Sequence, residues 1–407
     1  MREAVDGWGE QSKNGAKVLG SSKTYPLASA AFINAFQIHC QEYDCVHETA
    51  VVHPMATVFG AAFSQASLLE NISGKDIILA VTIGVDVATR LGLCVASPLK
   101  FFRPGTAGIF GATLAVAKLR HFSSSQAISA LGIALAQCAG TMQAHVEGKP
   151  TLALQIANSA RAAITSCDFV EVGFEGPTQS LTGPFGYLSL YEDDFDINLA
   201  TKDLGQRFNI SNVSHKPFPT GRAAHGGLDC LKRAIEKGLT AENLQSLTLI
   251  APPIINRLVG RPIKPGAEVN YMRLCYPYLA SRMLLDGDIG LDSFTEEKRT
   301  DLRLEGLSAN VSVIEDGTTD PANFSPQILK AVLKDGQKID IFMEAMPASA
   351  KRPLSTDEQF EKFKKCLNFG LDISTISQAK DLWDMLHTLE ALSVNDITKE
   401  LMKGVNP

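Results

Sequence analysis

The stretch Thr106-Ala107-Gly108-Ile109-Phe110-Gly111-Ala112-Thr113-Leu114-Ala115-Val116-Ala117 carries no charged side chain and is built almost wholly of small and aliphatic residues. A surface helix keeps one polar face, so a helix of this make-up is expected to be buried on most sides. Gly, Ala and Thr at a helix contact let two axes approach closely. The same texture recurs in Thr57 to Glu70, Lys75 to Gly92, Ser124 to Ala139 and Leu152 to Val170, and Ala127 to Ala136 is short enough of polar residues to predict burial there too. Asn71, Gly74, Gly92 and Gly140 stand where helices would stop, while Ser123-Ser124-Ser125-Gln126 offers hydroxyl caps for a new start. From about Ala28 to about Ala163 the pattern is one of close-packed helices.

After about Gly205 the texture changes. Gln245 to Ala251, Asn310 to Ile314 and Lys338 to Phe342 read as strands. Leu228 to Lys237 and Ser325 to Lys334 read as helices, the second with Ser325 at the N-cap and Pro326 in the first helical position. Helical patterns return in Glu358 to Asn368, Ile376 to Ala391 and a short segment from Asp396. The expected fold class is mostly α with an α+β part. A large helical domain would begin in residues 1–205, a smaller α/β lid domain would occupy 206–355, and the C-terminal helices of 356–407 would return to the helical domain.

With 407 residues, 45% hydrophobic and 20% charged, the chain can bury a large core and exceeds the usual size of one domain. A net charge of -6 and a pI near 5.8 offer no broad attraction to nucleic acid or to an anionic membrane. An anionic ligand would need a local cluster of cations. The most apolar stretch, Ile77 to Ala96, is interrupted by Asp86 and Arg90 and reads as a core helix, not a membrane span. Eight cysteines without a CxxC pair read as reduced thiols, and the polar start after Met1 is no signal peptide, so a cytoplasmic location is expected.

Proton-transfer groups crowd into Glu42-Tyr43-Asp44-Cys45-Val46-His47-Glu48 and the nearby His53-Pro54. A second cluster, Lys216-Pro217-Phe218-Pro219-Thr220-Gly221-Arg222 with His225, lies far away along the chain. His47-Glu48 and His53 do not have the HExxH spacing that sets two imidazoles on one helix face for zinc. No GxGxxG follows a strand, no GxxxxGK[ST] loop occurs, and no cysteine cage for an iron–sulfur cluster is visible. Neither a metal nor an organic cofactor is therefore expected.

Taken in order, several separated pieces resemble the MmgE/PrpD family, which includes 2-methylcitrate dehydratases and cis-aconitate decarboxylases. They are Ala31-Phe32-Ile33-Asn34-Ala35 leading to Glu42-Tyr43-Asp44 and His53-Pro54; Phe102 to Thr106 with Gly108; Gln155 to Arg161; Lys216 to His225; Tyr276-Pro277-Tyr278 before Leu285-Asp286-Gly287; and Met346-Pro347 before Arg352-Pro353-Leu354. The resemblance spans nearly the whole chain. It implies a helical domain with a smaller α/β lid, a small carboxylic-acid substrate and a homodimer.

The chain also departs from that family. Its N-terminus is short by comparison, and Cys45 and Val46 replace polar positions, with His47 as a possible substitute. Leu152 stands where the family commonly places a lysine nine positions before Arg161, Lys149 lies three residues earlier, and Arg103 occupies a frequent histidine position.

Dehydration of a hydroxy tricarboxylate needs a base for the proton alpha to a carboxylate, an acid for the departing hydroxyl and cations to hold the carboxylates, and decarboxylation needs the same cations with a proton donor for the carbanion. His53 and His225 are the acid/base candidates, because imidazole titrates near neutrality. Asp44, or else Glu42, would orient an imidazole or act as the base. Arg103 and Lys216 would hold carboxylates, with Thr106, His47 and Lys149 as further substrate-binding candidates. His39, His121, His215 and His387 read as structural, while His145 to Lys149 is polar enough to join the site but suits an exposed loop slightly better. The expected function is a lyase on a small di- or tricarboxylic acid, with 2-methylcitrate-type dehydration ahead of cis-aconitate-type decarboxylation. Isomerisation or epimerisation of such an acid follows, then a non-catalytic metabolite-binding role. Neither cluster alone holds both acid/base groups and cations, so the site is expected at the domain junction, with Asp44 and His53 facing Lys216 and His225.

Overall fold

Gly84, in the helix Gly74–Leu93, and Gly111, in the helix Gly108–Leu119, meet backbone to backbone. A Cβ at Gly84 would stand 2.7 Å from the Gly111 carbonyl oxygen, and one at Gly111 would run into the Gly84 carbonyl. The helices Leu27–His39 and Pro54–Ala66 are as close, since a Cβ at Gly60 would lie 2.8 Å from the Ala35 Cα. Gly74–Leu93, Pro54–Ala66 and Thr151–Glu171 surround Gly108–Leu119, which is buried along nearly its whole length, and Leu27–His39 packs on Pro54–Ala66 and Thr151–Glu171. The buried Thr113 hydroxyl is satisfied by donating to the Ile109 carbonyl at 2.8 Å.

The helix Ser124–Ala136 begins with the Ser123 cap, Ser123 and Gln126 each bonding the other's backbone N–H. Its burial departs from the expectation. Only Ala130, Gly132 and Ala134 are buried, because this helix packs on the outside of the layer and turns Ile128 to solvent at 42% exposure. Composition alone cannot separate an interior helix from one with an apolar outer face.

The computed structural model describes residues 1–8, 14–264, 266–320, 322–371 and 376–402. A short antiparallel pair, β1 (Ala16–Lys17) and β2 (Thr24–Tyr25), lies near the N-terminus. The larger sheet is made of β3 (Leu244–Ala251), β4 (Val311–Glu315), β5 (Gln327–Leu333) and β6 (Lys338–Met343), in spatial order β4-β3-β5-β6. β4 runs parallel to β3, whereas β5 is antiparallel to both its neighbours. Leu329, Ala331, Ile339 and Ile341 point inward, and β5 and β6 pack on the helix His225–Glu236.

β5 corrects the helix expected over Ser325 to Lys334. Gln327, Leu329, Ala331 and Leu333 alternate inward with a period of two, and the segment gains ladder bonds on both edges. Those non-local bonds outweigh the Ser-Pro start signal.

The apolar core of the sheet and its helices runs from Phe218 to Met346, while four further clusters join helices between Val5 and Ala200. Val394, at the start of Val394–Met402, joins one of the latter, and its N–H donates to the Ile72 carbonyl at 3.1 Å. Among the described residues no helix is long and apolar enough to cross a membrane. In Gly74–Leu93 the buried Asp86 and Arg90 pair at 2.6 Å. All eight cysteines are free.

Candidate functional site

His39 closes the helix Leu27–His39, and His53 immediately precedes Pro54, whose fixed φ suits the first helical position. Between them the chain doubles back through Glu42, whose φ is 52°. This turn sets Asp44 between the two imidazoles. Asp44 lies 3.1 Å from Nδ1 of each, and the rings meet edge to face with centroids 4.8 Å apart. An ionised carboxylate can only accept, so both Nδ1 atoms carry hydrogen. Nε2 is then the atom His53 can offer to a ligand.

The second cluster reaches the first through main-chain bonds. Val46 and Ser214 exchange N–H···O bonds of 3.1 and 2.8 Å, and the Tyr43 hydroxyl donates to the Pro217 carbonyl at 3.1 Å. Lys216, wholly buried, donates to the Glu42 carboxylate at 2.8 Å and to its carbonyl at 3.1 Å. Burial opposes the charge on Glu42, yet Lys216 and the imidazoles of His39 and His53 outweigh it and hold the carboxyl at about 2. Asp44, also buried, is held well below the carboxylate range by His39 and His53. For His39, burial disfavours the cation but Asp44 and Glu42 prevail, so its value is raised. For His53, burial wins over Asp44, Lys216 adds to it, and the value falls. The two imidazoles that share this carboxylate are thus shifted in opposite directions, His39 towards its charged form and His53 towards its neutral form.

A narrow cleft opens beside this group. Its ionisable lining residues are Glu42, His53, His145 and Arg222. Arg222 is engaged by Glu48, with N–O distances of 2.6 and 2.7 Å. His145 Nδ1 lies 3.2 Å from the Arg261 guanidinium, which also donates to the His145 carbonyl at 2.9 Å. Guanidinium has no acceptor, so Nδ1 accepts and the neutral ring keeps its hydrogen on Nε2. Burial and then Arg261 push His145 down to about 4.

The remaining candidates are distributed differently. His225 does not line the cleft. It is fully buried behind Arg222, with Nδ1 3.4 Å from that guanidinium and Nε2 3.3 Å from the Thr220 carbonyl, and burial and Arg222 hold its value well down. Lys216 sits behind Glu42. Arg103 is turned away into a two-pronged pair with Glu192 at 3.0 and 3.1 Å and borders an adjoining cleft. Thr106 is buried, 3.3 Å from the Tyr187 hydroxyl. His47 accepts from the Ala50 N–H at 3.2 Å and faces another cleft. Lys149 lies at the surface, paired with Glu268 at 2.6 Å, and so does not take the place of a lysine in the site. Leu152 does line the cleft.

The sequence marks some members of this group weakly and others not at all. His39 was assigned a structural role, although it lies three residues before Glu42 and five before Asp44. His145, read as an exposed loop residue, is only 8% exposed. Its partner Arg261 is 116 residues away, so no local signal marks the pair. Lys362, from Thr356–Leu371, donates to the Tyr43 carbonyl at 3.0 Å, lies over the Tyr43 ring and is lowered by burial to about 8.

Among the described residues, His39, Asp44 and His53 are the group able to offer a metal three ligand atoms, all within 4.8 Å of one another. Two imidazoles and a carboxylate suit a divalent ion. Both Nδ1 atoms, however, are spent on Asp44, and Lys216 is near enough to depress His53. The donors fit a hydrogen-bonded relay better than a cation site.

The chain matches the models of the MmgE/PrpD N-terminal domain over residues 1–200 and the MmgE/PrpD C-terminal domain over residues 218–386. It is 27% identical to a cis-aconitate decarboxylase of Homo sapiens over 94% of this chain and 80% of that protein. It is 26% identical to the Mus musculus cis-aconitate decarboxylase, covering 93% and 79%. An Aspergillus terreus cis-aconitate decarboxylase is 22% identical, covering 90% and 80%.

Proposed function

The chain belongs to the MmgE/PrpD family, and on that footing we propose that it is a lyase that decarboxylates a small unsaturated acid of the cis-aconitate type. The observation that carries this reading is the Asp44–His53 pair on the wall of the cleft. The names of its relatives support decarboxylation over the dehydration expected from the sequence.

In this reading a carboxylate of the substrate seats against Arg222 and the Nε2–H of His145. Loss of carbon dioxide breaks a carbon–carbon bond and leaves the electron pair on the remaining skeleton. His53 Nε2 delivers the proton that quenches it and is recharged from solvent, so acid anion plus proton yields carbon dioxide and the shortened acid. Asp44 orients the ring through Nδ1–H and stabilises its charged form. His225 is a positioning residue behind Arg222. Lys216 anchors Glu42 and draws the 206–355 part over the cleft as a lid. No metal is assigned a role, and a chelator is expected to leave turnover intact; loss of turnover with rescue by one divalent ion would overturn that.

A second reading rests on the same imidazole. Burial favours neutral His53, the form needed to abstract a proton alpha to a carboxylate, as in dehydration or isomerisation. Incubation with citrate-, aconitate- and alkylcitrate-like acids in deuterated water, followed by NMR, separates the possibilities. Carbon dioxide release with one deuterium gained supports decarboxylation, whereas water loss or bare exchange replaces it with the second reading. Silence towards every acid would overturn both.

We further propose a homodimer formed through the helical part. Phe169, Val172, Phe174 and Phe185 are exposed there, Val172 at 73%, near the outward-facing Ile128. A monomeric mass by light scattering at micromolar concentration would rule this out.

A further inference from the structure

Glu42 and Tyr43 present consecutive main-chain carbonyls, and a lysine from a distant segment holds each of them. Lys216 donates to the Glu42 carbonyl at 3.1 Å and Lys362 to the Tyr43 carbonyl at 3.0 Å. The turn they grip needs such support, because the φ of 52° at Glu42 lies in the left-handed region that residues with a Cβ adopt only rarely. The Tyr43 carbonyl and the Asp44 N–H belong to one planar peptide unit. Fixing that carbonyl therefore fixes the main chain from which the Asp44 side chain springs.

Lys362 also takes hold of the Tyr43 side chain. Its Nζ stands 4.1 Å from the centre of the ring, a cation over an aromatic face. The hydroxyl at the far end of the ring donates to the Pro217 carbonyl at 3.1 Å, next to Lys216 in the chain. Tyr43 is thus held at its main chain, its ring and its hydroxyl. Packing alone does not account for a lysine here. Burial pushes the amine down to about 8, its hydrogen bond runs to a carbonyl, and among the described residues no carboxylate pairs with it. An ammonium taken from water without a counter-charge costs stability that an apolar side chain of similar length would not.

Resting on the reading of Asp44 and His53 as the proton-transfer pair, we infer that Lys362 is a positioning residue for that pair: through the Tyr43–Asp44 peptide it keeps the Asp44 carboxylate between the imidazoles of His39 and His53. The helix Thr356–Leu371 thereby serves the site although Lys362 does not line the cleft.

The test is Lys362→Met, which keeps a long side chain and loses the donor, read by NMR titration of the His39 and His53 rings and by kcat and KM. Asp44 raises the titration of both rings, so a carboxylate that drifts from its place should let both fall. Removal of a nearby positive charge with Asp44 unmoved would instead raise both. The sign therefore separates positioning from charge alone. A kcat lowered about 10–100-fold is expected, the scale of a small misplacement at a reacting group, with KM changed by less than about twofold. Lys362→Arg, which keeps a cationic donor, should recover most of the lost kcat and return both titrations towards those of the parent. Should Lys362→Met not fold, Lys362→Gln makes the same comparison with a neutral polar side chain. A titration of either ring that stays or rises would overturn the inference, whatever happens to the melting temperature. Titrations that fall with kcat unchanged would keep the positioning of Asp44 and strike the proton-transfer reading of the pair. Absence of turnover by the parent protein with every acid would remove the lyase reading, and the two ring titrations would still decide whether Lys362 positions Asp44.

Discussion

His53 donates through Nδ1 to Asp44, which leaves Nε2 as the atom that can exchange a proton with a ligand in the cleft. His53→Ala is accordingly expected to lower kcat by about 10²–10⁴-fold with an unchanged thermal transition; a smaller loss would move proton transfer elsewhere. Asp44→Asn should lower the His53 titration further, because the carboxylate is what opposes burial there, and NMR titration of the ring reads this directly. The pH profile separates the two reactions by sign. Since His53 titrates below its ordinary 6.5, decarboxylation using its protonated form should give a kcat/KM that falls as pH rises through that lowered value. Proton abstraction by the neutral ring should instead climb through the same range and level off above it. A profile flat across this range would exclude His53 from either role.

At the scale of the elements, the contact between Gly74–Leu93 and Gly108–Leu119 depends on Gly84 and Gly111 having no side chains. Gly111→Val would drive a branched side chain into the Gly84 carbonyl and the Ala88 Cβ. The expected cost is about 1–3 kcal/mol, typical of overpacking, seen as a lowered melting temperature. An unchanged melting temperature would show that the two helices can separate without loss. Gly205→Ala makes a useful control for packing, because nothing lies within 4 Å of that position, although its φ of 77° adds a local backbone penalty.

For the molecule as a whole, the Glu42–Lys216 pair ties the turn after the first long helix to the segment leading into the sheet. Removing one partner, as in Lys216→Met, leaves a buried charge unmatched and is expected to cost about 3–5 kcal/mol; the double variant Glu42→Gln with Lys216→Met should recover much of that. Urea denaturation of the four proteins in the cycle measures it, and additive losses would deny the coupling. The depressed Glu42 value also has a definite sign in acid. Its stabilisation is complete above its ordinary value of 4.5 and is lost as pH falls from there towards about 2. Acid unfolding of the parent protein should therefore be steeper in that window than that of Glu42→Gln.

Periodicity and composition determined the close-packed helices, the strands β3, β4 and β6, and the importance of the Glu42 to His53 stretch, because those signals lie within one turn or one strand of themselves. The helical start signals at Ser325 and Pro326 misled for the same reason: β5 exists through ladder bonds to β3 and β6, which local sequence does not contain. The exposed face of Ser124–Ala136 likewise depends on where that helix sits, not on what it is made of. The site divides in the same way. Asp44, His53, Lys216 and Glu42 stand in recognisable clusters, whereas His145 becomes a neutral donor only because Arg261 arrives from the far side of the chain. Arg103 and Lys149 look like carboxylate holders until Glu192 and Glu268 are seen to occupy them. Sequence determined which ionisable groups the protein owns; only tertiary structure decided which face a cavity and which are already paired, because burial and charge pairing arise between residues remote along the chain.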